Sequence, residues 1–216
     1  MSSPEPIDKS DQVPSQLDQP RSGDKHQRIL DAAVQVIAEH GFFNARVSEI
    51  ASRAGVADGT VYLYFKNKDH ILREAIDTAF RNFFDRAKQE IQTVSSARMQ
   101  LELLARLHLE TLAAHRNLAI VMQTEVRQSA RFIAEFSHQH LVDYLNLVRE
   151  VIRLGQEQGL FREDISDRLV AHCMFGALDE MVSSWVFTGR PFDPDKIASA
   201  VMNLIFSGIE TSRENA

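Results

Sequence analysis

Residues 47–72 read VSEIASRAGVADGTVYLYFKNKDHIL, and this stretch predicts two short helices joined by a tight turn. Apolar residues recur in its first half at offsets of three, four and seven, which places them on one face of a helix. Gly55 follows them, and a glycine just past a helix adopts the left-handed backbone that ends it. The apolar residues are Val47, Ile50, Ala51 and Ala54.

The second helix of this pair is predicted to start near Asp58. Val61, Tyr64 and Phe65 are spaced to pack inward, so the leading end of the helix faces outward. In a helix-turn-helix, the N-terminal residues of the second helix read base edges in the DNA major groove. The predicted outward residues are Ala57, Asp58, Gly59, Thr60, Tyr62 and Leu63.

A third helix is predicted after this pair, with Asn67 as its N-cap. Lys68 is then placed to meet a DNA phosphate together with the free N–H groups of the helix start. The alternative interpretation of the whole stretch is an ordinary helical corner packed in a core.

This stretch resembles the DNA-binding domain of the TetR family of bacterial transcriptional regulators, and the resemblance covers Gln27 to Leu72. The family pattern contains a buried Ile-Ala pair, Ala-Gly-Val, Gly-Thr, Tyr, an aromatic-Phe pair and Lys. The resemblance implies that the side chains matching Thr60, Tyr62, Tyr64 and Lys68 touch DNA bases or backbone. The matching residues are Ile50, Ala51, Ala54, Gly55, Val56, Gly59, Thr60, Tyr62, Tyr64, Phe65 and Lys68.

Two positions depart from the family pattern. Arg46 stands where the family usually has a hydroxyl residue opening the second helix, and Ala57 stands where it often has Ser. The usual hydroxyl contact with phosphate is therefore not expected at either place, although Arg46 offers a guanidinium contact of its own. The predicted DNA-binding residues are Arg46, Val47, Ala57, Asp58, Gly59, Thr60, Tyr62, Tyr64 and Lys68.

Composition favours an all-α protein without a membrane span. The chain has 216 residues, none from Arg21 to Arg190 is proline, and proline breaks helix interiors. No apolar run approaches the roughly 20 residues that a membrane-spanning helix needs. The single cysteine, Cys173, excludes a disulfide within the chain and a cysteine-based zinc site. These observations predict a cytoplasmic location.

The formal net charge of −6 is not carried by the predicted DNA-binding region. Six acidic residues balance six basic residues between positions 24 and 70. Such a neutral region suits modest phosphate contact but lacks the broad basic patch of a protein that coats DNA without regard to sequence. The basic residues are Lys25, Arg28, Arg46, Arg53, Lys66 and Lys68.

Three regions are predicted along the chain. Residues 1–23, rich in Ser, Pro, Asp and Gln, are expected to be a disordered arm. Residues 24–70 form the DNA-binding domain, whose first helix ends at Gly41 and whose core is closed by Phe42 and Phe43. Residues 71–216 form a larger helical domain that binds an effector and dimerises. The long helix starting at Lys68 joins the two domains and is the predicted transmitter between them.

The last two helices carry broad apolar stripes, and small residues beside the stripes would let helices approach closely. Pairing with the same helices of a second copy would make a four-helix interface, as the family resemblance also implies. The alternative is that both stripes face their own core. The small residues are Gly176, Ser183, Ser199 and Gly208.

Residues 123–129 set Glu125 and Arg127 beside apolar Met122 and Val126. An apolar wall with a few polar groups is what a ligand pocket requires, although a solvated surface turn is an equal alternative. The predicted effector-binding residues are Met122, Val126, Arg127, Arg131, Tyr144, Phe175, Leu178 and Trp185.

The same segment, with residues 159–165 and 177–194, resembles the regulatory domain of the TetR-family repressors of fatty-acid degradation, which long-chain acyl-CoA releases from DNA. The resemblance implies this effector, with Arg127 and Arg131 meeting its phosphorylated head group. A drug or another hydrophobic ligand is the alternative effector.

No catalytic signature, phosphate loop, metal-ligand spacing or cofactor motif accompanies these patterns, so we expect neither an enzyme, a metal nor a cofactor. A helical small-molecule carrier or an enzyme that merely contains a helical corner is the alternative from a different class.

Overall fold

A computed structural model of the chain describes residues 22–127 and 138–211. Within these residues the chain is helical, and the only extended pairing is the isolated bridge between Phe161 and Glu210. The all-α prediction is therefore confirmed. The helices are α1 Ser22–His40, α2 Val47–Ala54, α3 Asp58–Tyr64, α4 Lys68–Ile91, α5 Ala97–Ala114, α6 Arg116–Val121, α7 His138–Glu157, α8 Asp167–Thr188 and α9 Pro194–Ile209, with a π-helical segment at Met122–Val126.

The local signals around the turn are confirmed. Gly55 has φ of 64°, in the left-handed region that favours glycine, and its N–H bonds the carbonyl of Ser52. The side chain of Asn67 accepts a hydrogen bond of 2.8 Å from the backbone N–H of His70, which makes it the N-cap of α4. α1, α2, α3 and the start of α4 thereby enclose one small core, which we call the head core.

The head core differs from the prediction at both ends. Ser22 already belongs to α1, so this helix begins before the predicted limit of the N-terminal arm, and residues 1–21 lie outside the described residues. Phe42 is buried as predicted, whereas the predicted packing of Phe43 is wrong because its side chain is 83% exposed. The head core also extends along α4 as far as Ile76.

A second, larger core is built from residues of the helices α4 to α9. Phe83 and Ala87 of α4 belong to it, so this helix carries residues of both cores along its length. The close approach of α7 to the following segment requires Gly155, because a Cβ there would lie 2.1 Å from the ring of Phe161. No helix in the described part of the chain is both long and apolar enough to cross a membrane.

Candidate DNA-binding surface and ligand cavity

The leading end of α3 and its outer face form the candidate DNA-binding surface. Val61 and Phe65 are buried in the head core, which turns the opposite side of the helix outward. Tyr62 and Leu63 are 58% and 84% exposed, and Tyr64 is half-buried. Other predicted contact residues lie at the start of the helix, where Thr60 is half-buried and the rest are exposed: Ala57, Asp58 and Gly59.

Lys68 has a different environment from the one predicted. Its ammonium group donates hydrogen bonds to the backbone carbonyls of Phe42, Phe43 (3.1 Å) and Ala45 (2.8 Å). It also lies 4.6 Å from the centre of the Phe42 ring. Burial lowers the pKa of this amine. Because an ammonium group has three donors, all are engaged within the head, which indicates a structural role for Lys68, and its phosphate contact stays a prediction.

Two more of the six basic residues are bound to groups of the protein itself, Arg28 in a half-buried position and Arg53 at the surface. The guanidinium of Arg28 donates to the carbonyls of Ala54 and Gly55, the latter at 3.1 Å, and so satisfies the end of α2. The guanidinium of Arg53 bonds the carboxylate of Glu39 at 2.6 Å. These cations stabilise the arrangement of the head rather than offering free charge.

Arg46 and Lys66 are exposed cations at the two sides of the helix-turn-helix, and Lys25, the sixth basic residue, is half-buried in α1. Arg46 is the N-cap residue of α2 and forms no capping bond through its side chain, and the predicted contact residue Val47 beside it is half-buried. Lys66 lies between α3 and α4 and was missed as a candidate from the sequence. Its exposure beside α3 adds it to the residues available for a phosphate.

Glu39, His40 and Glu49 are the only three side chains in the described ranges that are spaced to share a metal ion. They are all at the surface, between α1 and α2. The imidazole of His40 is 2.9 Å from the carboxylate of Glu49, and Arg53 already pairs with Glu39. The arrangement is a local charge network that ties α1 to α2.

A cavity of about 350 Å³ lies in the larger domain among α4, α5, the π-helical segment, α7 and α8. Five of the predicted effector residues line it: Met122, Val126, Arg127, Tyr144 and Phe175. Leu178 and Trp185 are corrected, because Leu178 is packed in the larger core and Trp185 stacks on Phe192 at 4.8 Å, away from the cavity. Arg131 lies outside the described residues.

Most of the cavity wall is apolar and was not predicted. Phe80 and Phe83 of α4 contribute rings, with His140 stacked on Phe80 at 4.5 Å. The apolar spacing of α4 indicated a buried face, but nothing in it separated cavity from core. The other unpredicted lining residues are Ala79, His108, Thr111, Leu112, Leu118, Gln123, Leu141 and Asp179.

One side of the cavity carries a buried polar network between the π-helical segment and α8. The amide N–H of Gln123 donates to the carboxylate of Asp179 at 2.7 Å, and its amide oxygen accepts from the hydroxyl of Ser183 at 2.8 Å. Asp179 also pairs with Arg127, whose side chain reaches the surface. The burial of Gln123 and Val126 excludes the alternative of a solvated surface turn. Ser183 serves this network rather than the predicted dimer interface.

A second buried pair joins α5 to α7. Nδ1 of His108 lies 3.2 Å from the hydroxyl of Tyr144, and both side chains line the cavity. Burial lowers the pKa of His108 to about 4 and raises the pKa of Tyr144. Both groups are consequently neutral at physiological pH.

The π-helical segment connects the cavity to the head. Met122 and Val126 line the cavity, and Val126 is at the same time part of the head core, as is Val121 just before the segment. π-helical turns interrupt α-helices mostly at functional sites. The sequence predicted α4 as the link between domains, and the structure adds this second link.

The predicted apolar stripes of α8 and α9 are partly buried and partly exposed. Val170, Met174 and Val182 face the larger core, as the alternative interpretation required. Leu169 of α8 and Leu204 of α9 are exposed. Small residues accompany them on the outer surface: Gly176, Ser199 and Gly208.

Comparison with known proteins covers nearly all the described chain. Residues 29–75 match the family model of the bacterial regulatory proteins of the tetR family, and residues 76–208 match the C-terminal region of YsiA-like proteins. The fatty acid metabolism regulator protein of Bacillus subtilis is 39% identical over 185 residues, which are 86% of this chain and 95% of that protein.

Two solved structures share the fold at similar identity. The fatty acid degradation regulator FadR from Bacillus halodurans has a TM-score of 0.81 and 40% identity, covering 85% of this chain and 95% of its own. The transcriptional regulator FadR from Bacillus subtilis, in complex with stearoyl-CoA, has a TM-score of 0.80 and 38% identity, covering 85% and 99%. The similarity therefore spans both the helix-turn-helix and the cavity.

Proposed function

The chain belongs to the TetR family of bacterial transcriptional regulators, and from this premise we propose that it is a homodimeric repressor released from a palindromic operator by long-chain acyl-CoA. The relatives are regulators rather than enzymes, so the interpretation as an enzyme or carrier gains no support from them. The proposal includes a cytoplasmic location, since a DNA-binding regulator acts where the bacterial chromosome is.

The proposed DNA contacts come from the exposed side of α3 and the cations beside it. Thr60, Tyr62 and Tyr64 offer polar groups at this surface, while Arg46 and Lys66 offer charge for phosphates. A phosphate contact that is lost weakens binding to every sequence and reduces the dependence of affinity on salt by about one ion. We therefore expect Arg46→Gln and Lys66→Gln to flatten the salt dependence of operator binding. Lys88→Gln on α4, an exposed cation outside this surface, is the control.

The effector proposal rests on one observation, the apolar cavity in the domain that resembles the stearoyl-CoA complex. Aromatic and aliphatic side chains form most of its wall, which suits an acyl chain. Burial contributes roughly 0.8 kcal/mol per CH₂, so affinity should climb with chain length until the cavity is filled. Arg127, whose side chain is half exposed, is the proposed contact of the charged head group.

Titration of acyl-CoAs of increasing length against the protein–operator complex tests this proposal. We expect release by long chains, weaker release by short ones and none by free CoA. Leu141→Trp, which fills part of the cavity, should shift the preferred length towards shorter chains. Leu147→Trp, on the same helix but outside the cavity, should leave the preference unchanged. Absence of release at every length would remove acyl-CoA as the effector.

The π-helical segment gives the effector a physical route to the head. A chain occupying the cavity presses on Met122 and Val126, and Val126 is packed in the head core. A ligand shifts an equilibrium only by its differential affinity for two states, and the proposal assigns the difference between the DNA-bound and the effector-bound form to this segment. A changed spacing of two heads, needed near 34 Å for one turn of B-DNA, would then weaken operator binding.

The proposed dimer uses the outer faces of α8 and α9. Leu204 is 77% exposed in the single chain, and small residues flank it. Exposed apolar area of this kind beside small residues is typical of helices that pack against a second copy. Leu204→Asp should give a monomer in sedimentation and lose palindrome binding, while Leu160→Asp, an exposed leucine outside both helices, should remain dimeric. An unaltered dimer in Leu204→Asp would exclude this face.

A further inference from the structure

His108, a residue of the cavity wall, has one polar atom without a partner among the described residues. Its side chain is buried and lines the cavity, and its Nδ1 is bonded to the hydroxyl of Tyr144. Its Nε2 is buried with no hydrogen-bond partner in the described part of the chain. Leaving a buried donor or acceptor unpaired costs roughly 1–3 kcal/mol, so such an atom in a ligand cavity calls for an explanation.

Among the described residues, aromatic rings pack directly against the imidazole. The ring of Phe175 meets the imidazole edge-to-face at 6.1 Å, and the ring of Tyr144 does so at 5.4 Å. Phe83 packs behind Tyr144 at 5.8 Å. These apolar rings also keep the imidazole neutral, because burial lowers its pKa to about 4. A neutral imidazole carries one proton, on either Nδ1 or Nε2.

Counting unpaired groups decides which nitrogen carries the proton. If Nδ1 donates to Tyr144, both the Tyr144 O–H and the lone pair of Nε2 lack partners among the described residues. If Tyr144 donates to Nδ1, only the N–H of Nε2 lacks one. The second arrangement leaves fewer buried polar groups unsatisfied and is therefore favoured. Nε2 is then a hydrogen-bond donor, which requires an acceptor.

We propose that Nε2 of His108, oriented by Tyr144, donates a hydrogen bond to one oxygen atom of the effector inside the cavity. The inference rests on the proposed acyl-CoA effector and extends it from chain length to chemistry. Either the thioester carbonyl oxygen or an oxygen substituent on the acyl chain can supply the acceptor. A site that hydrogen-bonds a ligand group discriminates strongly against analogues lacking that group, because its own polar atom is then left unpaired. His108 thus determines which acyl-CoAs release the operator.

Three ligands of equal chain length separate the two sources of oxygen. Hexadecanoyl-CoA carries the thioester carbonyl, S-hexadecyl-CoA is the thioether without it, and 3-hydroxyhexadecanoyl-CoA carries an additional chain oxygen. If the carbonyl is the acceptor, the wild type should bind the thioether about tenfold more weakly than the thioester, as expected for one hydrogen bond. If a chain oxygen is the acceptor, the hydroxylated ligand should bind about tenfold better and the other two equally.

Substitutions at His108 make the test specific to this atom. His108→Leu, of similar size, should erase whichever tenfold difference the wild type shows, and His108→Gln, which keeps an N–H donor, should restore part of it. Leu112→Val, which alters the cavity without touching a polar group, should shift all three affinities by one common factor. Dissociation constants measured by calorimetry give these ratios, and a purely structural role of His108 would not change them.

The outcomes distinguish a failure of this inference from a failure of the acyl-CoA proposal on which it rests. The same ligand ratios in the wild type and in His108→Leu, or no ratio in the wild type, would show that Nε2 contacts no effector oxygen and that a bound water satisfies it instead. That result would leave the acyl-CoA proposal standing. Failure of all three ligands to bind the wild type would overturn the effector proposal, and this inference with it.

Discussion

The head and the larger domain use their polar groups in opposite ways. In the head, Arg28, Arg53 and Lys68 bind groups of the protein itself, which ties α1, α2 and the start of α4 together. In the larger domain, buried polar groups of Gln123, Asp179 and His108 lie around a cavity, and Nε2 of His108 has no partner within the described residues. The head is therefore built as a rigid surface, and the larger domain encloses a cavity.

The two regions are nevertheless packed together. α4 contributes residues to both cores. Val121, just before the π-helical segment, and Val126, within it, are packed in the head core. The head with its DNA-binding surface and the domain with the ligand cavity are therefore joined by shared side chains. The following predictions test how far this coupling goes and which groups maintain the difference.

The largest effect is expected from Gly155→Ala, which disrupts the larger core alone. The new methyl group would overlap the ring of Phe161, whose N–H is bonded to the carbonyl of Gly155 and whose ring is stacked on Phe206. Overpacking of this kind should cost about 3 kcal/mol of unfolding free energy. Fluorescence of Trp185, the only tryptophan, reports the larger domain, and circular dichroism reports both regions.

Coupling through the π-helical segment predicts that both signals of Gly155→Ala shift together to lower denaturant concentration. Gly159→Ala is not a suitable control because Gly159 has φ of 69° and alanine would be strained there. Gly59→Ala, which lies outside the proposed dimer face and where nothing lies within 4 Å of the new methyl group, serves instead. Two separate transitions in Gly155→Ala would show that the head unfolds on its own.

The second prediction concerns pH and applies to the cavity. The pKa of His108 is about 4 when folded and near 6.5 when exposed, so the unfolded chain binds more protons between these values. Stability must therefore fall as the pH drops from about 6.5 towards 4, by about 3 kcal/mol over the whole window. Denaturation of the wild type and of His108→Gln at pH 7 and at about pH 4.5 isolates this contribution. Parallel losses in both proteins would contradict it.

The third prediction concerns Lys68 and distinguishes support of the head from contact with DNA. Lys68→Met removes the donor from three backbone carbonyls, which should cost about 2 kcal/mol of unfolding free energy. Tyr62→Ala, at an exposed position on α3, should leave stability unchanged and weaken operator binding by about 1–2 kcal/mol. If Lys68→Met keeps its stability and loses only operator affinity, the phosphate contact implied by the family resemblance is restored.

The sequence predicts features that depend on neighbouring residues, and it does not predict features that depend on residues distant in the chain. The turn at Gly55, the N-cap at Asn67 and the burial of Val61 depend on a few neighbouring residues, and the structure confirms them. The role of Lys68 depends on carbonyls more than twenty positions away, and no local pattern contains them. Phe43 differs from Phe42 only in direction, which the bend after α1 decides.

The cavity was predictable only in part, for the same reason. Met122 and Val126 stood out because apolar and polar residues mix locally around them. Gln123 bonds Asp179 and Ser183, which are 56 and 60 positions away in the chain. This network forms only when α8 packs on the π-helical segment, so no local pattern predicts it. Leu178 and Trp185 show the converse error, since an apolar residue on a helical stripe does not reveal whether it faces a cavity or a packed core.

The smallest effect is expected at Gly176, and it tests whether the outer face of the larger domain is a contact surface, as the outer face of the head is. Nothing in the single chain lies within 4 Å of a methyl group added there. In the helix interior, alanine is favoured over glycine by about 0.5–1 kcal/mol, so Gly176→Ala should stabilise an isolated chain. If α8 approaches a second copy closely at this position, the same methyl group must instead weaken the dimer.

We expect both effects, in opposite directions. At low protein concentration, where monomers dominate, the unfolding midpoint of Gly176→Ala should rise slightly, whereas the dimer dissociation constant from sedimentation should increase about tenfold. Glu157→Ala, an exposed position of α7 outside the proposed dimer face, should change neither by much. A stabilised chain with an unchanged dissociation constant would place the dimer contact elsewhere, because a methyl group cannot enter a close helix–helix contact without displacing one of the helices.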